Sequence, residues 1–442
     1  TSFGSGIGTP FLRLQTWWKY MLEFVNYLSR CTYLLERGRP VSDVLWYLGD
    51  EISHKPDQNY PFPEGFKYDY CNPDVLLNRL SVKNGKIVTP EGIEYSVLWL
   101  NDNKRMLPET LEKLLALVRE GAVVIGDAPE GLATLSGQES AQKRFDAAVH
   151  ALWGEVSKGC NRIGKGMVVS GMSLDEALCE LKMSPDVTAT GDALWLHRQT
   201  KGADWYFVTA PKGQGFKGDL SFRNSGYAEI WDPVTGEMEP AVNRKDGDRT
   251  VVSLDMPRAG SCFVVFRHDR KGESKPVLLE EAGTMPVGNE WTLAFPDGWG
   301  APASLKADEL KAWKDLDISP EGKAFSGTVT YTTSFDIENA KEYAGYSLDL
   351  GAVEMIASVS LNGKPLRVLW TPPYRLDITD AIQTGENILA VEVTGTWFNR
   401  LVYDAGQPEE NRKTWTISGP SKDAPLRDSG LLGPVVLKVF ND

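Results

Sequence analysis

The spacing of apolar and polar positions changes period along the chain, and each change predicts a different kind of structure. After a glycine-rich loop (Gly4, Gly6, Gly8, then Pro10), apolar residues recur at mixed helical spacings from Gln15 to Glu36: Trp17, Trp18, Met21, Leu22, Phe24, Val25, Leu28, Cys31, Leu34 and Leu35. This predicts one long helix, stopped by Gly38 and barred from continuing by Pro40. Its apolar positions are too broadly spread for one narrow stripe, so the helix needs a partner surface. That partner is expected upstream of the chain.

From Val41 the pattern alternates between short apolar runs and amphipathic stretches. Val44–Leu48, Glu94–Leu100 and Ala122–Gly126 read as strands. Between them, Asn72-Pro73-Asp74 has the cap, proline and acid of a helix start. Pro108 opens a helix with Leu111, Leu114, Leu115 and Val118 on one face, ended by Gly121. Ser173 and Glu176 form a capping box. Strands alternating with helices predict a parallel sheet of flavodoxin-like or amidotransferase-like type.

Beyond about Pro185 the period becomes two. Ala193–Arg198, Asp204–Thr209, Tyr227–Trp231, Thr250–Leu254 and Ser261–Phe266 predict a small antiparallel sandwich, with a proline–glycine turn at Asp232–Gly236. A stretch rich in Lys, Glu, Gly and Pro reads as a linker. The remainder alternates again, with Asn362-Gly363 as a hairpin turn, and suits a jelly roll of about eight strands. The expected organisation is therefore 1–40 a loop and helix, 41–185 α/β, 186–270 sandwich, 271–290 linker and 291–442 jelly roll.

Composition narrows the partners. A formal net charge of -13 argues against a nucleic-acid or anionic-membrane partner. No apolar run approaches the roughly 20 residues of a membrane span. Five scattered Cys and four scattered His include no CxxC pair, so they support neither a zinc site nor a disulfide framework. Fourteen Trp suit the C–H faces of sugar rings, and equally the cores of β-sandwiches.

Specific stretches resemble a known family. Phe11–Trp18, Tyr27–Cys31, Leu34–Gly38 and Asp43-Val-Leu are similar to the end of the catalytic (β/α)8 barrel of glycoside hydrolase family 106, the α-L-rhamnosidases. Leu348–Gly351, Val359–Gly363, Trp370–Tyr374, Leu376–Thr379, Trp397–Arg400 and Gly430–Pro434 resemble the galactose-binding-like jelly roll found in such enzymes. The resemblance implies inverting hydrolysis of terminal α-L-rhamnosides on plant-type glycans, a calcium ion near the sugar of the intact enzyme, and a periplasmic or extracellular location. It also implies that residues 1–40 end the barrel, with the rest of that barrel as the upstream partner. Most catalytic carboxylates would then lie upstream, and no catalytic or metal-ligating residue is assigned here. A non-catalytic carbohydrate-binding module and a sibling glycosidase of β-galactosidase type are the alternatives.

The candidate substrate contacts fall in three places. Arg13, Gln15, Trp17 and Trp18 would lie on the catalytic face if the long helix is the last of the barrel; packing is the alternative role for the two Trp and Gln15. Glu51, beside Asp50 at a strand end, and Asp69 are placed where ligands often meet α/β sheets, with solvated or capping roles as the alternative. Trp370, Tyr374 and Trp397, with Arg400, would form an aromatic cradle in the jelly roll, or cover one of its sheets.

Overall fold

The computed structural model describes residues 13–51, 61–270, 279–288, 290–416 and 418–441. The chain forms two compact units: one of Thr1–Cys31, Pro233–Gly236 and Val277–Asp442, the other of Thr32–Asp232 and Glu237–Pro276. The predicted helix is present as a 3-10 turn, Trp18–Tyr20, followed by α1 (Met21–Glu36).

In the larger unit, Gly38 turns the chain out of α1 with φ +66, and a Cβ there would stand 2.3 Å from the Gln199 carbonyl oxygen. Only glycine fits both demands. A six-stranded sheet follows, built from β1 (Val44–Tyr47), β2 (Tyr68–Cys71), β3 (Val97–Trp99), β4 (Val123–Ile125), β5 (Gly159–Ile163) and β6 (Gly166–Ser170), in the order β5-β6-β4-β3-β1-β2. All neighbours are parallel except β5 and β6, which form a hairpin. The order β2-β1-β3-β4 is that of flavodoxin-type sheets.

Alternate residues of each strand enter opposite cores. Leu45, Tyr47, Leu98 and Val124 meet α2 (Pro73–Arg79), α3 (Pro108–Glu120) and α4 (Gln138–Trp153). Val44, Trp46, Val97, Trp99 and Ile125 meet α5 (Leu174–Glu180) on the other face. The predicted caps form: Asn72 Oδ1 accepts from the Val75 amide at 2.9 Å, and Ser173 with Glu176 closes the capping box. The stretch expected as one strand from Glu94 is divided, with Glu94–Tyr95 pairing into a small separate sheet. Helix α4 was not predicted; it starts after Gly137 with no side-chain cap to announce it.

The same unit ends in two antiparallel sheets. One has the central order β7-β8-β12-β10, from β7 (Leu194–Gln199), β8 (Ala203–Thr209), β10 (Ala228–Trp231) and β12 (Ser261–Arg267). The other centres on β9 (Phe216–Phe222) and β11 (Arg249–Met256), with Val187–Ala189 at one edge. Tyr206, Phe222, Val252 and Phe266 pack between them.

The smaller unit holds a second sandwich. A four-stranded sheet runs β13-β22-β17-β20, from β13 (Glu280–Pro286), β17 (Gly345–Asp349), β20 (Arg375–Asp377) and β22 (Val436–Asn441). A six-stranded sheet runs β15-β14-β16-β21-β18-β19, from β14 (Trp291–Ala294), β15 (Ser304–Ala307), β16 (Thr328–Ile337), β18 (Ile356–Leu361), β19 (Lys364–Leu369) and β21 (Gly385–Thr394). Asn362 and Gly363 turn β18 into β19 with φ +54 and +76, as a two-residue hairpin requires. Two sequence expectations are corrected here. The second half of the expected linker 271–290 supplies β13, which pairs with β22; its first half, 271–278, lies outside the described residues. Within the stretch read as all β, Phe398–Ala405 forms a helix, α6, whose residues Arg400, Leu401 and Asp404 are buried.

The N-terminal part of α1 belongs to this unit. Phe24 and Tyr27 set their rings against Trp370, both at 5.6 Å between centroids. Tyr20 donates to Glu392 at 3.0 Å and Lys19 pairs with the same carboxylate at 2.9 Å. Elsewhere on this segment, Trp18, Leu22, Val25 and Leu28 are exposed, Leu22 at 64%. Among the described residues no sheet closes into a barrel, and no helix is long and apolar enough to cross a membrane.

Candidate functional site

In the smaller unit the chain leaves β19 at Trp370, runs through Pro372-Pro373 and returns at Tyr374 into β20. Opposite lies the segment from Gly351 to Met355. Together with Asp349 these residues line an open groove of about 660 Å³. The Tyr374 hydroxyl donates to the Met355 carbonyl at 2.6 Å and so fixes one wall to the other. Asp349 accepts from the Gly351 amide at 2.9 Å. Glu354 is left at the rim; burial, then the charge of Asp428, raises its pKa. Burial and the neighbouring Glu354 push the Tyr374 phenol up to about 12, so it stays a donor throughout the ordinary pH range. An aromatic wall beside carboxyl oxygens can take the C–H face and the hydroxyls of a neutral sugar.

Trp397, the third member of the expected cradle, stands elsewhere. Its indole nitrogen donates to the Leu14 carbonyl at 2.7 Å and its ring packs at 5.9 Å from Trp299. Arg400 is 1% exposed, held by Glu321 and Asp404 at 2.8 Å each. Of the N-terminal candidates, Arg13 and Trp18 are exposed while Gln15 and Trp17 are half-buried. The structure thus joins Trp370 with Tyr374, and sets Trp397 beside the N-terminal segment instead.

In the larger unit a smaller cavity of about 210 Å³ lies beyond the ends of β3, β4 and β6, lined by Asn101, Asp102, Asn103, Lys104, Asp127 and Glu130 among others. Neither Glu51 nor Asp69 lines it. Glu51 is exposed at the end of the described segment, and Asp69 accepts the Tyr95 hydroxyl at 2.9 Å. Asp50, beside Glu51, takes the capping role: it accepts from the Leu107 amide and the Thr110 hydroxyl at 2.8 Å each, and from the Tyr47 hydroxyl at 2.6 Å. Sequence reasoning missed the pocket residues Asn101–Lys104 and Asp127; their only signal is position, just past the ends of predicted strands.

Comparison with known proteins decides the family. Residues 3–245 match the model of the alpha-L-rhamnosidase family Glyco_hydro_106, more than half of the chain. The chain belongs to glycoside hydrolase family 106. A rhamnosidase from Novosphingobium sp. PP1Y is 33% identical and superimposes with a TM-score of 0.87, over 98% of this chain and 42% of that one. A protein of Formosa agariphila named putative beta-glucuronidase is 24% identical over 98% of this chain and 58% of its own length. The chain thus spans about half the length of these relatives. A beta-glucuronidase from an uncultured Clostridium species superimposes with a TM-score of only 0.28.

Family membership places this chain among the glycoside hydrolases. The described residues include no group of three His, Cys, Asp or Glu able to hold a metal ion. No calcium ligand set is therefore assigned to them.

Proposed function

We propose that this family 106 chain serves the hydrolysis of terminal α-L-rhamnosides on plant-type glycans, by inversion, outside the cytoplasm. One observation carries the reading: the superposition with a rhamnosidase over 98% of the chain at 33% identity. Inversion needs a general acid and a general base about 6.5–9.5 Å apart across the sugar, with room for water between them. We assign neither to residues of this chain. They belong, in this reading, to the part of the family's fold that the chain does not span. The exposed side of α1, with Trp18, Leu22 and Val25, is where a catalytic barrel would seat, and any calcium site would lie with that barrel. The Trp370–Tyr374 groove supplies an accessory sugar contact.

The test is hydrolysis of an aryl α-L-rhamnoside by this chain and by a form extended upstream, with an aryl β-glucuronide as the competing substrate. Activity on the rhamnoside in the extended form alone supports the reading. Glucuronide cleavage would replace the substrate class, and glycan binding with no hydrolysis by either form would leave a binding module. Glu354→Gln in the extended form should raise KM for a rhamnose-containing polysaccharide about fivefold with little change in kcat, the loss of about 1 kcal/mol of uniform binding. An unchanged KM removes the groove from the reading.

A further inference from the structure

The small sandwich of the larger unit contains a buried polar cluster for which glycoside hydrolysis gives no role. His197 on β7 is 6% exposed, and each ring nitrogen faces a carboxylate. Nδ1 lies 2.7 Å from Asp186 and Nε2 2.9 Å from Asp204. Tyr206 stacks on the imidazole at 3.9 Å and donates its hydroxyl to the second oxygen of Asp186 at 2.8 Å. Asn224 in turn donates to Tyr206 at 2.9 Å. The second oxygen of Asp204 meets Nε2 of the half-exposed His268 at 2.5 Å. Arg223 stands 3.7 Å from Asp186 and 3.0 Å from Asp43. Arg249 on β11 donates to the Pro185 and Asp186 carbonyls, and the charge of Lys67 acts on Asp186 as well.

A neutral imidazole has one N–H and one lone pair. Between two ionised carboxylates the lone pair would point at an anion within hydrogen-bond distance, whereas the imidazolium donates to both. The two carboxylates belong to different sheets: Asp186 leads into Val187–Ala189 at the edge of one, and Asp204 lies on β8 of the other. We propose that His197 is a buried proton-binding site, occupied as imidazolium, that fastens the two sheets of the sandwich together and releases them in alkaline conditions.

The electrostatics agree in direction. Burial works against the charged ring, but the hydrogen bonds and charges of Asp186 and Asp204 outweigh it, and the pKa of His197 is raised. For Asp204, burial is likewise outweighed, by His197 and then His268, and its pKa is lowered. His268 is raised, chiefly by the Lys201 carbonyl, with Asp204 adding to it. The histidine contributions are therefore complete below the unfolded value of about 6.5 and are lost as pH rises through the folded values. The Asp204 contribution is present above about 3.9 and is lost as pH falls through its folded value.

The test is ring-nitrogen NMR of the histidine-labelled chain. Single His→Gln variants at positions 54, 150 and 268 assign the signals. Both nitrogens of His197 should show protonated shifts at pH 7.5, with a proton affinity at least about tenfold that of an ordinary imidazole. Asp204→Asn should bring the titration down toward the ordinary imidazole value and flatten the fall of the thermal midpoint between pH 6.5 and 9. A neutral tautomer at pH 7, a titration at the ordinary imidazole value, or an Asp204→Asn variant that leaves the titration in place would each overturn the proposal.

Discussion

Helices α1 and α3 are both apolar enough to be read from sequence, yet they use their apolar residues in opposite ways. In α3, Leu111, Leu114, Leu117 and Val118 are 0–3% exposed, while Glu109, Glu112, Arg119 and Glu120 face outward. Its stripe and its buried face coincide. In α1 only Cys31 is buried, because the apolar positions go round the helix. Phe24 and Tyr27 meet Trp370, and Trp18, Leu22, Val25 and Leu28 remain outside. The difference teaches that the count of apolar residues marks a helix, but only their angular spread shows whether one neighbour is enough.

The largest effect expected from this comparison is in α3. Leu114→Ala should destabilise the larger unit by about 2–5 kcal/mol, because the site is fully buried between the sheet and its helices and cannot collapse freely. Urea unfolding would measure it, and a loss below about 1 kcal/mol would mean that the α3 face is not the core it is taken to be. The same substitution at Leu22 of α1 removes a side chain already in solvent.

A smaller effect is expected at the start of α3. The helix begins at Pro108 with Leu107 in the cap position, a residue with no side-chain acceptor. Asp50, more than fifty residues earlier, accepts from the Leu107 amide and from Thr110, placing a negative charge at the positive end of the helix dipole. Asp50→Ala should cost about 1–3 kcal/mol, since buried donors lose their partner. Glu51→Ala, one residue on and exposed, should stay within about 0.5 kcal/mol.

That pair shows what could be read from the chain and what could not. Local signals were legible: the caps at Asn72 and Ser173, proline at the head of α3, glycine after α1, and the Asn362–Gly363 turn all act within a few residues. The family, too, was legible from short stretches. Signals that need distant partners were not. Nothing near Leu107 announces that Asp50 caps the helix, and nothing near His197 announces Asp186 and Asp204. Trp397 looks like a sugar-stacking residue in sequence, but its indole N–H is taken by Leu14. The strand β13 was hidden because an edge strand such as Glu280–Pro286, mostly exposed, has the composition of a linker.

The smallest effect is the most informative about α1. Replacing Leu22 and Val25 together by Gln keeps good helix formers in place, so the unfolding free energy of this chain should change by no more than about 0.5 kcal/mol. Self-association, measured by light scattering, should fall, because an exposed apolar stripe is a route to aggregation. In a form extended through the barrel proposed to seat here, the same pair should cost far more, about 1.5–3 kcal/mol for each side chain that loses its burial. Equal, small effects in both forms would show that the stripe faces water in the extended form as well, and the proposed seat for a barrel would be wrong. A large loss in this chain alone would mean that α1 is covered within it, and the contrast with α3 would disappear.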